Sequence, residues 1–193
     1  MKKPIQQRTL KTRARLIECA HELIEAHGYA GLRIEDLVKC AGVAKGTFFA
    51  HFADKDALME LLIAERINQH LDAIEKAPTP RSVETVVSSL MPLLQFMACE
   101  RYVFDVILRH SGAAQKEEVG AIAMTFDRQV RVVSHWLAEG PFRKDVPDRL
   151  LADGIQAFCV QTMALNFCAL HNSIPMDEQL LPYLKAWLLE KVD

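Results

Sequence analysis

A chain of 193 residues, 50% apolar and 25% charged, can bury roughly 70% of its unfolded surface and so needs no disulfide or metal to fold. Its 23 basic and 25 acidic residues give a net charge of −2, which argues against a uniformly basic nucleic-acid coat. No apolar run reaches the ~20 residues of a membrane span, and no apolar segment follows the basic start Met1-Lys2-Lys3-Pro4, so a cytoplasmic protein is expected.

Apolar residues recur at helical spacing along the chain, without period-2 stretches or strand–helix alternation, which predicts an all-α fold of about nine helices. The first spans about Thr9 to His27, with Leu16, Cys19, Ala20, Leu23 and Ile24 on one face, and Gly28 ends it. Two short helices, about Ile34 to Cys40 and Lys45 to Phe52, flank the turn Ala41-Gly42-Val43. Asp54 is positioned to cap a longer helix from Lys55 to Lys76.

Pro78 and Pro80 break the pattern, and a module boundary is placed there. Ser82 caps the next helix, which carries Val83, Val86, Val87, Leu90, Leu93, Leu94 and Met97 on one face and a kink expected at Pro92. Further helices are predicted over Glu100–His110, Lys116–Glu139, Asp148–Asn172 and Asp177–Lys191. Cys19, Cys40, Cys99, Cys159 and Cys168 are scattered without CxxC spacing, which predicts reduced structural thiols.

One longer helix followed by two short ones around a glycine turn has the geometry of a helix-turn-helix, with Leu37, Val43 and Phe48 filling its core. The stretch Ile34-Glu35-Asp36-Leu37 through Ala41-Gly42-Val43-Ala44-Lys45-Gly46-Thr47-Phe48-Phe49-Ala50-His51-Phe52, followed by Lys55, resembles the N-terminal domain of the TetR family of transcriptional regulators. Thr12-Arg13-Ala14-Arg15-Leu16-Ile17 and Gly28-Tyr29 extend the resemblance upstream. Arg33, Ile34 and Ala44 stand where that family often carries hydroxyl residues, so helix caps worth about 1 kcal/mol each are missing. Phe49 stands where it usually has a tyrosine.

The resemblance implies a helix-turn-helix DNA-binding domain with a basic N-terminal arm over residues 1–55, the motif itself at 33–52. A connecting helix at 56–76 and a larger effector-binding and dimerisation domain at 77–193 follow. The charge map agrees: residues 1–55 carry ten basic and six acidic residues, a surplus of four, and the rest of the chain is acidic by six. The resemblance places Lys45, Gly46 and Thr47 at the start of a recognition helix facing the major groove. Phe49 is expected on sugar or a thymine methyl, and His51 and Lys55 on phosphate.

The resemblance also implies a homodimer on a palindromic operator of double-stranded DNA, with half-sites about 34 to 36 Å apart or a multiple of that. Phe158, Met163, Leu170, Leu181, Leu184, Trp187 and Leu188 are the expected dimer contacts. A largely apolar small-molecule effector is expected against Phe96, Met97, Phe104, Ile107, Leu108, Phe126, Trp136 and Phe158, with Thr162, Asn166, Gln156 and Gln161 available to orient a polar group.

No phosphate-binding loop, dinucleotide fingerprint or Gly-x-Ser-x-Gly elbow is present, and His21 and His27 lie at i, i+6, the wrong spacing for a helical metal pair. No enzymatic activity, catalytic residue, metal or cofactor is therefore expected. The sequence reads as a ligand-responsive transcriptional regulator, in particular a repressor released by a small molecule. The competing class is a helical protein that binds a small molecule or partner protein without DNA.

Overall fold

The computed structural model describes residues 3–111 and 119–189, and every regular element among them is helical. The order is α1 (Lys3–Gly31), α2 (Ile34–Ala41), α3 (Lys45–Phe49), α4 (Lys55–Lys76), α5 (Val83–Met97), α6 (Arg101–His110), α7 (Ala121–Glu139), α8 (Asp148–Asn166) and α9 (Met176–Leu188). The chain divides into two compact units, residues 1–62 and 63–193, with the boundary inside α4. The expected start of one helix at Lys116 and the expected end of the last helix at Lys191 lie outside the described residues.

In the first unit, Leu16, Cys19, Ala20, Leu37, Phe48, Leu58 and Met59 have no exposed surface and form the core. The helix expected to stop at His27 continues past a break: Gly28 takes φ 75 and ψ 171, and one more helical turn follows to Gly31. A residue with a side chain resists that positive φ, so the chain changes direction where glycine permits it. Gly42, at φ 66 and ψ 35, closes α2 with its N–H on the Lys39 and Val38 carbonyls and starts the turn into α3. Neither Arg33 nor Ala44 provides a side-chain cap, as their residue types require. Asp54 Oδ1 does accept from the Ala57 N–H at 2.7 Å at the start of α4.

One expectation fails here. Cys19 on α1 and Cys40 on α2 are joined in a disulfide, their Cα atoms 5.9 Å apart. They are 21 positions apart in sequence, so no local spacing announced the pair; the packing of α2 across α1 creates it. Cys99, Cys159 and Cys168 are free thiols.

In the second unit α7 packs on α8, α8 on α9 and α9 on α5, around Leu90, Leu93, Ile107, Ile122, Leu137, Leu151, Ile155 and Leu180. Ser82 and Thr85 form a reciprocal capping box at the start of α5, and that helix runs on through Pro92 to Met97. α8 ends at Asn166, six residues before the expected Asn172, and the chain continues in turns. Gly154 on α8 admits the Trp187 ring: a Cβ there would stand 2.5 Å from the indole nitrogen, which donates to the Leu151 carbonyl at 3.0 Å. Arg128 on α7 binds α4 through Asn68 Oδ1 at 2.8 Å, Asp72 Oδ1 at 2.6 Å and Glu75 Oε2 at 2.7 Å.

Candidate nucleic-acid interface

The first unit builds a short exposed helix on a small, fixed base. α3 is only five residues long, too short to be stable alone, so its position derives from packing. Phe48 anchors it from below, fully buried, with Phe49 edge-on at 5.2 Å and Phe52 tilted at 5.5 Å. Arg13 from α1 clamps its far end: the guanidinium lies 4.2 Å over the Phe52 ring and donates to the His51 carbonyl at 2.7 Å. Arg13 therefore uses its charge inside the unit, and Arg15 is paired to Glu18 at 2.8 Å, so the basic start of the chain offers less free charge than its composition suggests.

The residues expected to read DNA lie together on and beside α3. Lys45 and Gly46 open the helix and are exposed. A methyl group added at Gly46 would meet no atom within 4 Å beyond its chain neighbours and its own helix backbone, so the backbone there is open to whatever approaches. Phe49 is 48% exposed, an apolar ring held outward while its neighbour Phe48 is buried. Thr47 and His51 share a cleft of about 460 Å³ with Val43 and with Arg8, Thr9 and Thr12 from α1. Lys55 is half-buried at the start of α4.

Two features were not read from the sequence. Arg8 and Thr12 line the cleft beside Thr47; their i, i+4 spacing on α1 was the available signal. Lys45 Nζ donates to Glu35 Oε1 at 2.6 Å, and this bond holds the Glu35 carboxyl below the usual carboxylate range. Both partners are more than half exposed, so the pair is weak and Lys45 remains available to a stronger acceptor.

The family model for bacterial regulatory proteins, tetR family, matches residues 16–62. The match covers the helix-turn-helix of the first unit. An HTH-type transcriptional regulator of Bacillus subtilis, the uncharacterized YvdT, is 31% identical over 101 residues, 52% of each chain, so the chain spans about half the length of this relative. The HTH-type transcriptional repressor DhaR of Mycobacterium sp. (strain GP1) is 25% identical over 91% of this chain and 92% of its own. Among solved structures, the transcriptional regulator FadR from Bacillus subtilis in complex with stearoyl-CoA aligns with a TM-score of 0.59 at 18% identity, over 91% of this chain and 97% of that one. The fold shared with that structure is the all-α arrangement expected from the sequence, an N-terminal helix-turn-helix followed by a larger helical part.

The residues expected in the second unit are spread over several elements. Phe96 on α5 is half-buried and stacks on His70 at 5.5 Å; burial, with Arg66 adding to it, pushes the His70 pKa down. Met97 and Ile107 are buried, and Phe104 is buried and stacks on Phe167 at 5.6 Å. Leu108 stands apart at 40% exposure on the outer side of α6, so it does not line an interior cavity. Phe126 is buried with its carbonyl accepting from Gln156 Nε2, and Trp136 borders a cleft of about 290 Å³ with Glu75, Thr79 and Arg131. Thr162 is fully buried and its hydroxyl has no hydrogen-bond partner, a cost of about 1 to 3 kcal/mol when uncompensated. Asn166 is half-buried at the last turn of α8.

Three expected dimer contacts need correction. Met163, Leu184 and Leu188 are buried in the chain's own core, facing inward from α8 and α9, and offer no surface to a second copy. Phe158, Trp187 and Leu181 are half-buried, and Leu170 is 85% exposed. Phe158 stacks on Tyr183 at 5.2 Å and meets the Trp187 edge at 5.9 Å, an aromatic group that joins α8 to α9. Cys168 Sγ lies 3.3 Å from His171 Nδ1 in the turns after α8, whereas Cys159 is buried on α8 itself, where burial pushes its thiol up to about 12.

Proposed function

We propose that this chain is a ligand-responsive DNA-binding transcriptional regulator, a repressor that acts as a homodimer on a palindromic operator. The observation that carries the reading is α3 itself: a helix fixed from below by Phe48 and from the side by Arg13, with Lys45, Gly46, Thr47 and Phe49 presented outward. Lys45 donates to guanine or phosphate after leaving Glu35, Thr47 meets a base edge, and the bare backbone of Gly46 allows close approach. His51 and Lys55 contact phosphate and set the register. The proposed division of labour keeps residues 1–55 for DNA, 56–76 as a connecting helix and 77–193 for effector and dimer.

The second copy is proposed to dock on the exposed part of the α8–α9 face, through Phe158, Leu170, Leu181 and Trp187. The effector is proposed to be largely apolar, since its candidate contacts Phe96, Met97, Phe104 and Phe126 are, with Thr162 and Asn166 supplying the polar contact. The stearoyl-CoA of the B. subtilis FadR structure supports an apolar effector class. DhaR, a repressor by name, supports repression. The unpartnered Thr162 hydroxyl favours a ligand with one acceptor or donor aimed at it. No helix among the described residues is long and apolar enough to cross a membrane.

Titration of the full chain against duplexes drawn from the DNA beside its own gene tests the reading. Specific, salt-sensitive binding to a two-fold site is expected, with two chains per site. Absence of any sequence preference at moderate salt would leave the alternative, a helical small-molecule or partner-protein binder.

A further inference from the structure

Cys19 and Cys40 take no part in the proposed reading of DNA, yet they sit where that reading is controlled. Cys19 lies mid-way along α1 and is fully buried; Cys40 is half-buried in the last turn of α2, two residues before the Gly42 turn into α3. Glu22, one turn beyond Cys19 and exposed, places Oε2 3.5 Å from Cys40 Sγ. Two sulfurs and a carboxylate oxygen from two helices thus lie within 4.8 Å of one another.

We propose that Cys19 and Cys40 form a reversible dithiol–disulfide switch that fixes the end of α2, and through it α3, against α1. The effect on DNA rests on the function proposed above; the switch itself does not. Proteins that work beside DNA meet thiol buffers, where disulfides are uncommon and those that form are mostly transient or redox-sensing. The unequal burial of the two sulfurs assigns their roles. Cys40 is the sulfur that solvent reaches, and Cys19 is positioned to resolve the oxidised form.

The oxidant is a hydroperoxide. Its O–O bond breaks as one oxygen transfers to the Cys40 sulfur, giving a sulfenic acid, while the other takes the Cys40 thiol proton and leaves as an alcohol, or as water from hydrogen peroxide. The Cys19 sulfur then attacks Cys40: the S–S bond forms, the S–O bond breaks, and the oxygen leaves as water with the Cys19 proton. Glu22 is the nearby carboxylate that carries protons in both steps. The hydroperoxide is reduced by two electrons and the two thiols are oxidised by two. An external dithiol reverses the step by exchange, leaving as its own disulfide.

The linkage removes freedom from the segment that sets the position of α3, and a pre-ordered reading helix loses less entropy on binding. The test uses the full chain treated with hydrogen peroxide or with dithiothreitol, each then removed. Peptide mapping should find Cys19 joined to Cys40 only after peroxide, with the thiols restored by dithiothreitol. Proteolysis within residues 33–44 should be at least fivefold slower in the oxidised protein. A duplex selected by the protein from a random library should bind the oxidised form at least threefold more tightly, and Cys40→Ser should abolish both differences. Equal protection and affinity in the two forms would overturn the proposal, as would tighter binding by the reduced form or zinc capture by the two thiols in place of disulfide formation. If no duplex is selected in either form, the DNA reading falls, and the proteolysis still decides the switch.

Discussion

Gly46→Ala separates DNA contact from folding at a single position. Beyond its chain neighbours and its own helix backbone the added methyl meets no atom within 4 Å, and Gly46 has no positive φ, so the substitution brings neither a clash nor backbone strain. Alanine is the better helix former by up to about 1 kcal/mol, so urea unfolding should show equal or slightly higher stability. If DNA approaches the α3 backbone at this point, the methyl displaces it and one close contact is lost. A base contact is worth about 1 to 3 kcal/mol, which is roughly a five- to 150-fold loss of affinity. Fluorescence anisotropy with a labelled operator duplex at fixed salt measures it. A stable variant that binds as tightly as the parent would refute the placement of Gly46 against DNA, and with it the orientation assigned to α3.

Gly42→Ala should cost about 1 to 2 kcal/mol of stability, from the left-handed φ of 66 alone, and Gly42→Asn clearly less; equal losses in denaturant melts would contradict this origin. Glu35→Gln should tighten DNA binding a few-fold by releasing Lys45 and removing a like charge from the phosphates; weaker binding would show that the pair positions Lys45 productively. Gly154→Ala should destabilise the second unit by about 1 to 3 kcal/mol, because the new Cβ overlaps the Trp187 ring; unchanged stability and tryptophan fluorescence would exclude that contact. Arg128 holds the Glu75 carboxyl below its usual range, chiefly by hydrogen bonding. A lowered folded pKa gives stability that is present above the unfolded value near 4.3 and lost as pH falls through the folded one. Arg128→Met should therefore lose about 1 kcal/mol at pH 7 and little below pH 3, a small figure because the Glu75 side chain is 44% exposed. An equal loss at both pH values would assign Arg128 to packing.

The sequence was most readable where one local rule dominated. The boundaries of α4 fell at Lys55 and Lys76 as expected, since Asp54 caps one end and the proline pair follows the other. The apolar stripe of α5 is buried position for position, because a helix with a wide apolar face has one way to dry it. Reading failed where tertiary packing chose the outcome. Met163 and Leu184 carry the same apolar signature as Leu181 and Leu170, and only the packing of α8 on α9 shows which of them turn inward. The same holds for Cys19 and Cys40, which no pattern in a linear sequence brings together. Arg13 entered only as part of the basic surplus over residues 1–55, and the three-dimensional neighbour that occupies it, Phe52, lies 39 positions away.

Two of these failures, the Cys19–Cys40 link and Arg13, bear on α3. By every local measure it is a poor helix: five residues, no side-chain cap, and a glycine in its first turn. A segment of that kind is ordered by what surrounds it, and its surroundings are few enough to name. Phe48 sets its depth, Gly42 sets the angle at which it leaves α2, Arg13 holds the exit at His51 and Phe52, and the Cys19–Cys40 link ties the preceding turn to α1. Strong intrinsic propensity would make the helix indifferent to these supports. Its weakness makes its position depend on each of them, so a change of about 1 kcal/mol in any support shifts the population of correctly placed α3 several-fold whenever the competing arrangements lie within that energy.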